Sequence, residues 1–95
     1  MERIINGKRY STETALELAS NHYADSTNRL PHGRGATLYR TPKGAYFMHY
    51  ETQWVGEADT IEPVDTQTAQ AFWERAYNRE QSVEVAFPEL VVEDA

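Results

Sequence analysis

The side chains of this chain that could do chemistry are few, and their spacing tests each possibility in turn. His22, His32 and His49 are its three histidines. None stands at the H-x-x-x-H interval that sets two imidazoles on one helix face around zinc. His22 lies close to the end of an expected helix, where the dipole favours an imidazolium. With no cysteine, a thiolate site and a disulfide framework are both excluded. Ser11, Ser20, Ser26 and Ser82 offer hydroxyls, but no G-x-S-x-G elbow surrounds any of them. Carboxylate pairs such as Glu57/Asp59 and Glu93/Asp94 would need one buried member with a raised pKa to work as acid and base, and their polar surroundings read as solvated. The stretch "LPHGRG" holds Gly33 and Gly35, yet it lacks the third glycine and the strand-to-helix setting of a dinucleotide site. The residues thus point to no catalytic group, no metal and no cofactor, and the chain reads as non-enzymatic.

Two other groupings suit binding. Glu51, Glu57, Asp59, Glu62 and Asp65 fall within fifteen residues around Trp54. An exposed aromatic anchor among carboxylates fits a contact with a basic protein or nucleoprotein surface, because charge steers the encounter and the ring supplies buried area. The plain alternative is that Trp54 caps the core while its acidic neighbours keep the surface soluble. The second grouping is Arg34, Tyr39, Arg40, Lys43 and Tyr46, a basic aromatic hairpin of the kind that tracks single-stranded nucleic acid.

Charge placement favours the acidic grouping. The chain carries a net charge of −6; residues 1–50 hold +3 and residues 51–95 hold −9. A nucleic-acid binder is ordinarily basic, and a negative half-chain weakens attraction to phosphate. Direct contact with nucleic acid is therefore the lesser expectation. The binding reading requires the later carboxylates to gather into one outward patch.

Local signals define the elements that must carry these groups. "RIINGKRY" has Asn-Gly between two short β-prone stretches, the mark of a type I′ hairpin. "STETALELASNHY" reads as a helix over about residues 12–22, with Ser11 or Thr12 as its cap and Leu16, Ala19 and Tyr23 at helical spacing. "ADSTNRLPHGRG" is a loop by composition. "ATLYRT" and "AYFMHYET" are strands joined by "TPKG", a turn with proline and glycine where their backbone preferences fit. Placing Thr41 opposite Ala45 puts Leu38, Arg40, Tyr46, Met48 and Tyr50 on one face and Tyr39, Phe47 and His49 on the other. "TIEPV" is a short strand that Pro63 confines to an edge or an end. "DTQTAQAFWERAYNRE" is a helix capped by Asp65 or Thr66, with Ala69, Phe72, Trp73, Ala76 and Tyr77 as its apolar stripe. "QSVEVAF" alternates like a strand.

The expected fold is α+β, a small antiparallel sheet of three to four strands packed against two helices. Ninety-five residues support one domain, placed at 1–87 with an acidic tail at 88–95. The apolar runs are too short for a signal peptide or a membrane span, which points to a cytoplasmic protein.

"NGKRYSTETALELAS", "LYRTPKGAYFMHY" and "IEPVDTQTAQAFWERA" together resemble small proteins of prophages and mobile elements. The shared pattern runs K-x-Y-[DS]-T-E-T-A, then L-Y-R-T-x-x-G-x-[YF]-F, then I-x-P-[LV] before a helix with tryptophan. Here it falls on Lys8, Tyr10, Ser11 to Ala15, Leu38 to Thr41, Gly44, Tyr46, Phe47, Ile61, Pro63 and Trp73. This chain departs from the pattern at "HYETQWVG", where the relatives are rich in glycine. The resemblance carries no catalytic residues. It implies a setting in which small acidic proteins, anti-CRISPR proteins among them, inhibit host defence complexes by occupying nucleic-acid-binding surfaces in the host cytoplasm.

Overall fold

A computed structural model describes residues 1–21, 34–52, 55–76 and 78–90 of the chain, with Arg34 described by its backbone alone. Asn6 and Gly7 both take positive φ, 51° and 74°, and this type I′ geometry matches the twist of the flanking strands. Strands β1 (Glu2–Ile5) and β2 (Lys8–Ser11) pair across it from Ile5↔Lys8 to Glu2↔Ser11. They form a two-stranded sheet of their own.

The main sheet has five antiparallel strands in the order β6-β5-β4-β3-β7: β3 (Leu16–Ser20), β4 (Arg34–Arg40), β5 (Tyr46–Thr52), β6 (Thr60–Val64) and β7 (Asn78–Arg79). Helix α1 (Thr66–Arg75) follows β6, and a single turn, α2 (Val83–Ala86), follows β7. The class is α+β as expected, but the sheet is wider than three or four strands.

The extra width comes from a segment whose sequence reads as helix. Residues 12–14 form a turn, and Leu16–Ser20 is a strand between β4 and β7, not part of a helix over 12–22. The register slips between Glu17 and Ala19, leaving Leu18 as a bulge residue. Leu18 and its neighbour Ala19 are both fully buried. A bulge erases the alternation that identifies a strand, so "LELAS" retains only its helical spacing. Pairing on both sides then overrides local propensity.

"QSVEVAF" differs in the opposite sense. Burial of two adjacent residues, Ala86 and Phe87, suits one helical turn that brings Val83, Ala86 and Phe87 to a single side. The seventh strand is instead Asn78–Arg79, paired with Ala19 and Ser20.

The β4–β5 hairpin has the expected register, with Arg40↔Tyr46, Tyr39↔Phe47 and Leu38↔Met48. The Thr41 amide donates to Ala45 O at 2.8 Å, and Gly44, at φ 92°, donates to Thr41 O at 2.9 Å. The sheet is buried on both faces. One packs Leu18, Leu38 and Met48 against Ala69 of α1 and Phe87; the other packs Phe47 and Ile61 against Tyr10 of β2. The helices thus share one side, and the β1–β2 hairpin covers part of the aromatic surface on the other.

Asp65 caps α1, its carboxylate accepting from the Thr68 amide at 2.7 Å. Along α1, Ala69 is buried, Phe72 and Trp73 pack on the core, and the buried Ala76 closes the C-terminus. Tyr77, the last residue of the expected stripe, lies outside the described residues. Trp73 donates from Nε1 to Gln81 O at 3.1 Å, meets Phe87 edge-on at 6.2 Å, and carries the Arg79 guanidinium 5.1 Å above its ring.

β6 is an edge strand, as Pro63 requires. Arg3 donates across its flank to Ile61 O at 3.0 Å and Thr60 Oγ1 at 3.2 Å. Pro88 to Leu90 are exposed beyond the buried Phe87, and residues 91–95 of the expected tail lie outside the described residues. Among the described residues no helix is long and apolar enough to cross a membrane.

Candidate functional site

Strand alternation divides the acidic grouping. Glu51 lies on the face of β5 that carries Phe47 and His49, whereas Glu62 pairs with Met48 and projects from the helix-bearing face. Asp65 stands at the far end of β6, engaged in capping α1. Trp54 lies outside the described residues. Glu57 and Asp59 come together, on the connection between β5 and β6.

That connection is organised by Thr52, a residue that no motif singles out. Thr52, the last residue of β5, donates from its amide to Asp59 Oδ1 at 3.0 Å and from its hydroxyl to Glu57 Oε1 at 2.6 Å. One threonine therefore holds two carboxylates at the same end of the sheet. Threonine followed five and seven residues later by acids is the only local trace of this arrangement. Val55 is fully exposed at the tip, next to Gly56 at φ 89°. Glu51 borders the same end beside Gly35, Tyr50, Thr52, Glu57 and Ala58. The outcome is an acidic end of Glu51, Glu57 and Asp59, with Glu62 and Asp65 apart from it.

Glu51 also reaches toward His49, its Oε1 lying 3.8 Å from Nδ1. His49 Nε2 is buried without a hydrogen-bond partner. Tyr39 lies on the same face, 6.4 Å from the imidazole between ring centroids. Burial, and then the charges of Glu17 and Glu51, push the Tyr39 hydroxyl above its ordinary pKa. On the opposite face, burial and then Glu62 do the same to Tyr50. Asp65 is shifted the other way: the Thr68 amide, followed by the Thr68 side chain, holds its carboxyl below the usual aspartate value.

The basic aromatic grouping is divided as well. Tyr39 and Tyr46 occupy opposite faces, as their alternation requires. Tyr39 is stacked on Phe47, and Tyr46 packs 5.2 Å from Phe87 with its hydroxyl donating to Ala86 O at 3.0 Å. The backbone of Arg34 opens β4 at the end opposite Arg40. Arg40, Lys43 and Tyr46 do converge, lining one cleft with the first turn of α1 and the segment after α2. Lys8 and Arg9 stand near Lys43 on the other side of the Pro42 turn.

The basic side chains Arg40, Lys43, Lys8 and Arg9 gather at the turn end, with Asp65 and Glu89 nearby and Arg9 paired to Glu2 at 3.0 Å, whereas Glu51, Glu57 and Asp59 stand at the other end. Comparison with protein-family models, with curated proteins and with solved structures finds no match for this chain.

Proposed function

We propose that this chain is a non-enzymatic binding protein of the mobile-element type, which inhibits a host nucleic-acid-handling defence complex in the cytoplasm, in the manner of anti-CRISPR proteins, by occupying a basic surface. The observation that carries this reading is the loop held by Thr52, which presents Glu57 and Asp59 beside the exposed Val55. Fixing two carboxylates before contact lowers the entropy lost on binding. An apolar tip flanked by acids suits a partner whose basic groups surround a small hydrophobic recess. Of the five carboxylates expected to form one outward patch, only Glu51, Glu57 and Asp59 come together, and the reading rests on these three.

The test is a pull-down and a calorimetric titration with purified CRISPR effector complexes. Binding that weakens with added salt and is lost in the Glu57→Lys/Asp59→Lys double variant supports the reading. Equal binding by wild type and double variant, or no binding to any effector at low salt, defeats it. A low-salt gel shift with DNA or RNA separates it from the nucleic-acid alternative, because an acidic mimic forms no such complex.

A further inference from the structure

The cleft at the turn end brings together two cations, Arg40 and Lys43. It encloses about 370 Å³ between the Pro42 turn, the first turn of α1 and the segment after α2. Arg40 is only partly exposed, its Nε is buried without a partner, and among the described residues no carboxylate pairs with its guanidinium. The inner edge of that guanidinium is closed off, so its remaining donors are the terminal nitrogens. These lie under the glycine of the turn: a Cβ on Gly44 would come within 3.3 Å of Arg40 Nη2. Lys43 reaches the same cleft from the turn itself.

A half-buried arginine ordinarily finds an acceptor, since an unpaired charge with restricted hydration is costly. Among the described residues the guanidinium forms no ion pair, although Glu89 stands in the wall of the same cleft. We propose that this cleft binds a small organic phosphate, with Arg40 and Lys43 holding the phosphate oxygens.

Three features set the ligand class. Two cations at one mouth match a dianion better than a single carboxylate, and arginine presents paired donors to phosphate oxygens. The cleft is larger than an inorganic phosphate needs, and Phe87 and Leu90 give part of its wall an apolar character. Gln70 and Glu89, also in the lining, offer a donor and acceptors suited to hydroxyl groups on the organic part. A phosphorylated sugar or polyol meets all three. The net charge of −6 and the presence of Glu89 in the wall argue against a polyanion running across the surface. The site shares no residue with the acidic loop and stands or falls separately from it.

The test is a calorimetric and NMR titration of the full chain at low ionic strength with glucose 6-phosphate, inorganic phosphate, glucose and a short single-stranded oligonucleotide. The expected result is one saturable site for glucose 6-phosphate, weaker binding of inorganic phosphate, and none of glucose. Resonances of residues 40–46 and the start of α1 should shift. Lys43→Gln, at an exposed turn position, should keep the fold and weaken binding roughly tenfold, with a larger loss for Arg40→Met, since each removes a charge-assisted contact. No saturable binding of either phosphate, binding unchanged in Lys43→Gln, inorganic phosphate binding as tightly as the sugar phosphate, or the oligonucleotide binding more tightly than both would each overturn the proposal.

Discussion

Tyr39 lies flat on Phe47 directly across the β4–β5 pair, the ring centroids 5.2 Å apart and the planes within 10°. The same Phe47 receives Tyr10 of β2 edge-on, at 5.7 Å and 72°. Three strands thus meet on one fully buried ring, and through it the N-terminal hairpin is joined to the main sheet.

Phe47→Ala should therefore be among the most damaging single changes, lowering the free energy of unfolding by about 3–5 kcal/mol in urea titrations. The loss combines transfer of a large side chain with a cavity that Tyr39, Tyr10 and Ile61 cannot fill. Tyr10→Ala should cost less, because Phe47 retains its partner in the sheet. Equal losses in the two variants would contradict the central placement of Phe47.

Alkaline pH should destabilise the protein through Tyr39. Its folded pKa lies above the ordinary 10.0, owing first to burial and then to Glu17 and Glu51. Below pH 10 both states hold the proton and stability is unaffected. As pH rises past 10 the unfolded chain ionises first, so stability is lost progressively until the folded phenol also ionises. Phenolate absorbance should show late titration of Tyr39, and Glu51→Gln should bring it earlier. Titration unmoved by Glu51→Gln would remove that carboxylate from its surroundings.

Acid pH should act through Asp65. Its folded pKa is depressed below 3.8 by the bonds from Thr68, so its contribution is present above the unfolded value and disappears as pH falls through the lower, folded one. Asp65→Ala should lower the urea midpoint at neutral pH and have little effect once the wild-type carboxyl is protonated. A difference persisting undiminished at the acid extreme would mean that the cap acts through something other than its charge.

At Gly44, alanine faces two obstacles, a φ of 92° and the approach of its methyl group to Arg40 Nη2. Gly44→Ala should cost about 1 kcal/mol or slightly more. The backbone amides around Thr41 and Ala45 should exchange faster with solvent, because that turn closes the hairpin. Unchanged exchange there would show that the turn tolerates a side chain.

Thr52→Val removes the hydroxyl that holds Glu57 while leaving the backbone bond to Asp59. Global stability should fall by less than about 1 kcal/mol, as expected for one exposed hydrogen bond. Hydrogen exchange should quicken selectively over residues 55–59. If exchange in that loop stays as slow as before, the threonine does not organise it.

What the sequence reveals is local. Asn6-Gly7, the Thr41–Gly44 turn and Asp65 before α1 each state a backbone requirement within four residues, and each lies where it reads. Leu16–Ser20 misleads because its strand identity depends on β4 and β7, which approach from distant parts of the chain, and because the bulge at Leu18 removes the alternation. The acidic grouping shows the same limit. Fifteen residues rich in carboxylate appear as one cluster until pairing is known; the register Met48↔Glu62 then sends Glu62 to the face opposite Glu51. The meeting of Arg40 with Gln70 and Glu89 in one cleft has no counterpart in any contiguous stretch.

The exposed flank of the sheet at β6 has a consequence for behaviour in a crowded solution. Proline 63 offers no amide on that strand, and Arg3 already occupies the carbonyl of Ile61. A neighbouring polypeptide seeking to lengthen the sheet there finds one hydrogen missing and one oxygen taken. The border is partly blocked by Arg3 and Pro63, and concentrated samples should resist fibril growth from that side.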